Sequence, residues 1–312
     1  MTNTPDHHDR AYGIAPPGWR LPDASRVGGV CLLVSDLPRS LDYYQQVIGL
    51  AVHSSDPKEA VLGPHGDDRP LLTLRTRSGV TRARRGAFGL YHFALLLPDR
   101  SDLGRFLAHV SALGLHVGMA DHLVSEALYL WDPDGLGIEV YADRPRSTWQ
   151  VRGRELAMTT DPLDERSVVA AGGGAAWTGC PAGTTVGHVH LHVGSLEAAE
   201  AFYHRAVGFD KIVWSYPGAL FLSAGGYHHH LGTNVWSRGP SPPADSAQLL
   251  EWEIVVPSAA DAAAPRDSLR SAGYAVDEAG TGFLVADPWG TRLRIRAHTP
   301  DERRPARNTL DS

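Results

Sequence analysis

Apolar and polar positions along the chain follow a pattern that recurs. The runs at residues 30–50 and 189–209 each begin with apolar residues at every second position, which is typical of a strand. Each then continues with apolar residues three and four apart, the spacing of one buried helix face. Gly49 and Gly208 fall where such a helix would end. The two runs therefore predict the same unit of a strand followed by a helix.

Two weaker copies of this unit occupy residues 91–115 and 252–274. Short β-type runs follow each helix, and the second and fourth copies share an Asp-Pro-x-Gly turn, at Asp132 and Asp287. The pattern predicts an α+β protein built from four βαβββ modules. We place these modules at residues 26–84, 88–146, 183–241 and 247–299.

The modules divide the chain into two predicted domains, residues 26–146 for modules one and two and residues 183–299 for modules three and four. Residues 147–182 are predicted to be a connector. Their Gly-Gly-Gly run lacks the Lys-Ser/Thr that follows in a phosphate loop. The polar ends, residues 1–25 and 300–312, are predicted to be flexible.

Composition narrows the chemistry and the partners. The 312 residues carry a net charge of −6, which argues against nucleic acid as a partner. No apolar stretch has the length of a signal peptide core or a membrane-spanning helix, so we expect a cytoplasmic protein with no membrane partner. The two cysteines, Cys31 and Cys180, cannot form a thiolate metal site and are expected to be reduced and packed. Any metal chemistry must rest on the 16 histidines and on carboxylates.

Four motifs then resemble a known family: GHVHLHV, YHFALLLP, ADHLVSEALYLWDPDGLGIEVYADRP and GGYHHHLGTNVW. With the repeated βαβββ units, they resemble the vicinal oxygen chelate superfamily and, within it, type I extradiol dioxygenases of the catechol 2,3-dioxygenase kind. The resemblance covers residues 26–299. It implies that the modules pair into two open barrels, the glyoxalase-like fold.

The resemblance implies that metal ligands lie on the first and last strands of a module. Those positions hold His92 and Glu139 in module two and His188 in module three. His190 and His192 share a strand face with His188, so any of the three could be the ligand, and the Gly-His-Val context favours His188. Two histidines and one carboxylate form the facial triad of non-haem Fe(II) oxygenases, and Mn(II) accepts the same ligands.

The matching positions in the other modules hold no ligand. Module one offers Gly29, and module four offers Trp252 and Arg294. The triad is complete only if modules two and three face each other, which would leave modules one and four as a metal-free pair. We predict this pairing, although the last two modules form the active pair in the more familiar arrangement of the family.

The resemblance also implies roles for residues around the metal. His122 and Tyr129 would hydrogen-bond the substrate oxygens and favour a singly deprotonated catecholate. In the histidine run that follows Tyr227, His229 matches the acid/base position best and His228 second, and which of these two or His230 faces the site stays open.

These features predict an Fe(II)-dependent dioxygenase that opens a catechol with O₂ to a 2-hydroxymuconic semialdehyde-type product. Phe221, Trp236 and Trp131 are candidates for a hydrophobic pocket around the ring, with packing in the strand core as the alternative. The competing functions are a glyoxalase-type isomerase or lyase and a metal-free ligand-binding or resistance protein of the same fold. The ring substituents and the oligomeric state stay open, with a homo-oligomer among the alternatives.

Overall fold

The first half of the chain folds as the two predicted modules. The structure is a computed structural model that describes residues 12–299. Module one comprises β1 (Arg26–Leu33), α1 (Leu37–Tyr43) with a π-helical continuation (Tyr44–Ile48), β2 (Ala51–Ser55), β3 (Glu59–Gly63) and β4 (Leu72–Arg75). Module two comprises β5 (Gly89–Leu96), α2 (Arg100–Ala112), β6 (Gly118–Asp121), β7 (Ser125–Trp131) and β8 (Gly137–Asp143).

The connector and the second half follow in chain order. The connector contains a 3₁₀ turn (Arg146–Thr148), β9 (Val151–Arg152), β10 (Glu155–Leu156) and α3 (Glu165–Ala171). Module three comprises β11 (Thr185–His192), α4 (Leu196–Ala199) with a π-helical continuation (Glu200–Val207), β12 (Asp210–Val213), β13 (Ala219–Ser223) and β14 (Leu231–Asn234). Module four comprises β15 (Gln248–Val256), α5 (Ala259–Ser271), β16 (Val276–Ala279), β17 (Gly282–Ala286) and β18 (Arg292–Ala297).

Local sequence explains where the module helices begin and end. Each begins after a residue whose side chain accepts a hydrogen bond from a backbone amide of the first turn, which satisfies an otherwise unpaired donor. These residues are Asp36, Asp99, Ser195 and Ser258. The helical segments of modules one and three end at Gly49 and Gly208, with φ of +86° and +102°, a backbone conformation that glycine adopts without strain. Both C-caps were predicted from the sequence.

The modules pair across the two halves of the chain. One sheet has the order β16-β17-β18-β15-β1-β4-β3-β2 and is called here the 1–4 sheet. The other has the order β12-β13-β14-β11-β5-β8-β7-β6 and is called the 2–3 sheet. Antiparallel pairing of β1 with β15, and of β5 with β11, joins the modules. The α+β fold and the predicted pairing of modules two and three are confirmed. The division into domains 26–146 and 183–299 stays a prediction.

The two Asp-Pro-x-Gly turns tie neighbouring modules together. Tyr44 donates a hydrogen bond to Asp132 at 3.2 Å, and Tyr203 donates one to Asp287 at 2.8 Å. The other carboxylate oxygen of each aspartate accepts from two backbone amides of its own turn. Each buried aspartate therefore closes its turn and also anchors the helical segment of the preceding module, which links the 1–4 sheet to the 2–3 sheet.

The segments outside the modules also make specific contacts. Within residues 12–25, Ile14 forms a β-bridge with Lys211, and Arg20 forms a bidentate pair with Asp210 at 2.7 and 2.6 Å. In the connector, α3 packs against α2. The predicted flexible tail, residues 300–312, and residues 1–11 of the predicted extension lie outside the described residues. Among residues 12–299, no helix combines the length and apolarity needed to cross a membrane.

Candidate active site

Three buried side chains converge at the centre of the 2–3 sheet. One oxygen of Glu139, Oε2, lies 3.0 Å from His92 Nε2 and 3.1 Å from His188 Nε2. One potential ligand atom from each of the three side chains lies within 4.8 Å of the others. The structure therefore brings together the three residues that the sequence suggested as metal ligands.

Strand register accounts for this convergence. Ala94 on β5 lies opposite Glu139 on one side and opposite His188 on the other. Since residues two apart on a strand share a face, His92 points to the same side as the small Ala94. Gly187 allows the approach of β8, because a Cβ there would lie 1.8 Å from the Tyr141 hydroxyl. Packing therefore requires a glycine at position 187, directly before His188.

Burial and mutual contact set the protonation states of the triad. Burial opposes ionisation of Glu139, but its close contacts with His188 and His92 outweigh it and hold the pKa of Glu139 well below its usual range. Burial lowers the pKa of His188 to about 4. An ionised carboxylate and a neutral imidazole are the forms that bind a metal ion.

The donor set fits a metal ion by a further criterion. His92 Nε2 is buried and has no hydrogen-bond partner among the described residues, because its contact with Glu139 lacks hydrogen-bond geometry. An unpaired buried nitrogen costs about 1–3 kcal/mol. A cation held between His92, Glu139 and His188 would satisfy this nitrogen and offset the charge of the carboxylate.

The other two histidines of β11 form hydrogen bonds with Asn234. His190 Nε2 accepts a hydrogen bond from the Asn234 side-chain amide at 3.0 Å, and His192 Nδ1 donates to Asn234 Oδ1 at 2.7 Å. Irregular pairing of β11 with β5 before His188 and after His190 breaks the simple alternation. His188 is therefore the β11 histidine that contacts Glu139.

A cavity of about 320 Å³ opens beside the triad and is lined by His92 and Glu139. The residues that the sequence suggested for catalysis and for the ring pocket and that also line it are His122, Tyr129, His229, Phe221, Trp131 and Trp236. Two members of the predicted triad and the predicted pocket residues thus face the same space.

Two of these residues form a hydrogen-bonded pair. His122 Nδ1 donates to the Thr159 carbonyl at 2.5 Å, which leaves His122 Nε2 as an acceptor for the Tyr129 hydroxyl at 2.6 Å. The lone pairs of the Tyr129 oxygen are then available on the cavity side. Burial, followed by the charge of Glu139, raises the pKa of Tyr129 well above its usual range, so the phenol stays protonated.

The three histidines after Tyr227 lie in three different environments. His229 lines the cavity, with its ring centroid 4.0 Å from that of His188. His228, which the sequence ranked second, does not line the cavity and lies behind His229. His230 points elsewhere, and its Nδ1 accepts from the Ala224 amide at 3.1 Å. Of the three, His229 is the one placed at the cavity.

An unpredicted carboxylate fixes the tautomers behind His229. Asp143 Oδ1 accepts from His228 Nε2 at 2.9 Å and from the Tyr227 hydroxyl at 3.1 Å. With that proton on Nε2, the His228 tautomer accepts at Nδ1 from His229 Nδ1 at 2.7 Å. His229 Nε2 then carries a lone pair. The alternation of Glu139, Tyr141 and Asp143 along β8 is the sequence signal that could have identified Asp143.

The connector also contributes to the site, which the sequence did not indicate. Met158, Thr159 and Thr160 line the cavity. Asp161 forms a β-bridge with Asp121, which holds this segment beside β6. Nothing in the local sequence marks these residues, because their place depends on how the connector folds back.

The 1–4 sheet corrects one positional expectation. In β15, Trp252 pairs with Leu293 as Phe93 pairs with Ile138, so Trp252 is a core residue that matches Phe93. The residue that matches His92 is Glu251, one position earlier. A shift of one residue exchanges the two faces of a strand, which is why the sequence comparison misplaced this position.

Comparison with known proteins identifies relatives over most of the chain. The family model described as the glyoxalase/bleomycin resistance protein/dioxygenase superfamily matches residues 26–140 and 185–295. A catechol-2,3-dioxygenase of Bacillus subtilis (strain 168) is 43% identical over 270 residues, which cover 85% of this chain and 94% of that protein.

Solved structures show the same fold at low sequence identity. A Bacillus subtilis protein superposes with a TM-score of 0.65 at 13% identity, covering 90% of this chain and 87% of that chain. Glyoxalase I from Zea mays superposes with a TM-score of 0.52 at 17% identity, covering 87% of this chain and 92% of that chain. These two structures support the arrangement of the modules.

Proposed function

Because the chain belongs to the glyoxalase/bleomycin resistance protein/dioxygenase superfamily, we propose that it is an extradiol dioxygenase that opens a catechol with O₂. The observation that carries the proposal is the group formed by His92, Glu139 and His188, beside a cavity that also holds His229 and Tyr129. The catechol-2,3-dioxygenase that is 43% identical over most of its length supports the same reaction.

We assign the metal to the triad and propose Fe(II) as the ion, with Mn(II) as an ion that accepts the same ligands. When bound, the ion would supply the redox-active Lewis-acid chemistry that brings a catecholate and O₂ together. Two imidazoles and one carboxylate leave coordination positions open for both. Neutral His188 and ionised Glu139 are already in the forms that this role requires.

Tyr129 and His122 are proposed to hold one substrate oxygen. The Tyr129 proton is used in the bond to His122, so the Tyr129 oxygen acts as an acceptor. It would therefore favour a substrate hydroxyl that keeps its proton. This preference supports binding of a singly deprotonated catecholate, as the resemblance implies.

His229 is proposed as the acid/base residue. The hydrogen bond from its Nδ1 to His228 directs the lone pair to Nε2, so His229 can take a proton during the reaction and return it. His228 and Asp143 are proposed as positioning residues, because they fix this tautomer without lining the cavity.

The proposed product is a 2-hydroxymuconic semialdehyde-type compound, and the proposed setting is the cytoplasm, where the two free cysteines would stay reduced. The glyoxalase-type alternative usually needs a second carboxylate on the opposing last strand. Strand β14, with the sequence LGTN, supplies none.

The test is ring cleavage by the full chain after anaerobic loading with Fe(II). Addition of catechol and air should give a yellow ring-opened product with stoichiometric O₂ uptake. His229→Ala should retain the metal and lose about 10²–10⁴-fold in kcat, because it removes proton transfer and no ligand. Stoichiometric Fe(II) binding without O₂ uptake, across a panel of catechols, would refute the proposal.

A further inference from the structure

The charge of the cavity restricts the substituents that a catechol could carry. Glu139 is the only acidic side chain in its lining, and no lysine or arginine lines it within residues 12–299. The nearby arginines Arg100 and Arg144 are paired with acids of β6 and β7. An anionic substituent in the cavity would therefore meet no cationic side chain.

One side of the cavity is a continuous aromatic wall, formed by Phe221, His190, Trp236, Tyr216 and Tyr91. Ring centroids are 5.6 Å apart for Phe221 and His190 and 5.5 Å apart for His190 and Trp236. Tyr91 and Tyr216 lie 5.7 and 6.4 Å from Trp236. The wall runs from Phe221, which contacts His229, outward to Trp236.

The wall is held in place before any ligand arrives. The Trp236 indole donates to the Pro217 carbonyl at 3.0 Å, and its backbone amide donates to Asn234 Oδ1 at 3.1 Å. The Tyr216 and Thr160 hydroxyls share a hydrogen bond of 2.8 Å. A preorganised apolar surface can bind a ligand with little loss of side-chain entropy.

The mouth of the cavity exposes large apolar side chains. Tyr91, Met119, Trp131 and Trp236 are 37%, 38%, 57% and 47% exposed, and all four line the cavity. They are four of the nine exposed large hydrophobic residues among residues 12–299. Clustering of exposed apolar side chains is a mark of a ligand-binding surface.

We propose that the substrate is a catechol with an uncharged, apolar substituent, aryl or alkyl, that extends from the triad along the aromatic wall to the mouth. This inference rests on the proposed function and adds the substrate class. A ring bound at the triad leaves the outer part of a cavity of about 320 Å³ to be filled. Trp236 on one side and Trp131 on the other supply apolar surface there.

The same geometry disfavours a short acidic arm. A carboxylate attached to the ring directly or through one methylene would lie between the apolar walls, away from the solvent at the mouth. Burial of a charge without a partner is strongly unfavourable. The cavity therefore disfavours anionic substituents on the ring and favours long apolar ones.

The test compares matched substrates with the metal-loaded full chain. We expect kcat/KM for methyl 3,4-dihydroxyphenylacetate to exceed that for the free acid by at least about tenfold, since the two differ in charge. We expect 4-butylcatechol or 3-phenylcatechol to exceed catechol by at least about tenfold, because burial of only two methylenes, at roughly a factor of four each, would already suffice. Equal or better use of the acid, or no gain from an apolar substituent, would overturn the inference.

Variants connect the preference to the wall. Trp236→Ala should lower the ratio of kcat/KM for 3-phenylcatechol to that for catechol by about tenfold. Leu113→Ala, which removes an exposed apolar side chain outside the cavity, should leave that ratio unchanged. An unchanged ratio in Trp236→Ala would exclude the wall as the substituent site.

Binding separates this inference from the proposed reaction. Calorimetric titration of the metal-free chain with 2-hydroxybiphenyl, 4-hydroxyphenylacetate and its methyl ester should show tighter binding of the two neutral ligands. If no catechol is opened but the neutral ligands bind preferentially, the reaction is wrong and the ligand class stands. If catechol is opened but the acid binds as tightly as its ester, the ligand class is wrong.

Discussion

The two sheets have the same fold, but a side chain of opposite charge occupies a key position in each. In the 2–3 sheet, β5 pairs with β8 so that Ala94 lies opposite Glu139, and in the 1–4 sheet Glu253 lies opposite Arg294 in the same way. Arg294 therefore occupies the place of the carboxylate in the triad. The side chain that would give a metal site its negative charge is replaced by a cation.

The remaining triad positions change in a complementary way. Glu251 matches His92 and contacts the Arg294 guanidinium directly, and Arg294 also lies 3.7 Å from Glu253. Gly29 takes the place of His188, since Val30 pairs with Leu72 as Val189 pairs with Leu231. In the 1–4 sheet, the acids are thus neutralised by arginine.

This comparison shows that the fold brings the same three positions together in both sheets. The charges of the side chains at these positions then decide whether a cation can bind there. Glu139 is contacted by two imidazoles, one of them buried and unpaired, whereas Glu251 and Glu253 are paired with guanidinium groups. A divalent cation would be stabilised by the carboxylate and imidazoles of the first arrangement. It would be repelled by the guanidinium groups of the second.

The largest effect is expected from His188→Ala in the 2–3 sheet. Loss of one of the three proposed ligands should reduce metal retention by at least about a hundredfold and abolish ring cleavage. Metal content after anaerobic dialysis and O₂ uptake measure the two effects. Gly29→Ala is the matched control, because a Cβ there would lie 3.4 Å from the Leu71 carbonyl, an ordinary contact. Metal retention and activity that survive in His188→Ala would contradict the triad.

A smaller effect on turnover is expected from Asp143→Ala. This change removes the acceptor that fixes the tautomer of His228, so His229 would be held less often with its lone pair at Nε2. We expect kcat to fall about 10- to 100-fold, with KM and metal content nearly unchanged.

Asp143→Asn keeps an acceptor oxygen and should restore part of the lost kcat, which a purely structural defect would not show. Asp277→Asn, an exposed substitution on β16, serves as the control for loss of a negative charge. A larger change in KM than in kcat for Asp143→Ala would contradict a role in positioning His229.

Much of the fold was predictable because it is repeated. Period-two strands, helix-ending glycines and the two Asp-Pro-x-Gly turns define four modules, and the distribution of candidate ligands among them led to the pairing of modules two and three. Each of these signals is local or compares two segments at the same place in the repeat. The placement of Trp252 at the first-strand ligand position failed because a strand read one residue out of register presents its other face.

The rest of the site depends on contacts between distant segments. The sequence could not show that the connector carries Thr159 to His122, or that Asp143 reaches His228 on another module. It also left three histidines of β11 as possible ligands, because irregular strand pairing around His188 and His190 is a tertiary effect.

Arg294→Met should affect the stability of the 1–4 sheet without affecting catalysis. It leaves Glu251 and Glu253 close together and partly buried, with side chains 19% and 21% exposed. We expect a loss of about 1–3 kcal/mol in the free energy of unfolding, between the values for exposed and buried pairs. Urea denaturation measures it, and a further Glu251→Gln change should recover part of the loss. An unchanged midpoint would show that the acids do not depend on Arg294.

A dependence of stability on pH is expected at His230, whose counterpart in the 1–4 sheet is the apolar Leu71. Burial, together with the positive charge of Arg146, lowers the pKa of His230 to about 3, whereas an unfolded histidine titrates near 6.5. The unfolded chain therefore gains a proton first as the pH falls, and stability that is present above pH 6.5 is lost below it. Between pH 7.5 and pH 5 this loss should reach about 2 kcal/mol.

His230→Gln does not titrate. Its stability deficit relative to the unmodified chain should therefore narrow by that amount between pH 7.5 and pH 5, as measured by urea denaturation of the metal-free protein. The exposed His116→Gln should keep the original pH dependence, and an equal deficit for His230→Gln at both pH values would show that His230 does not stay neutral in the folded chain.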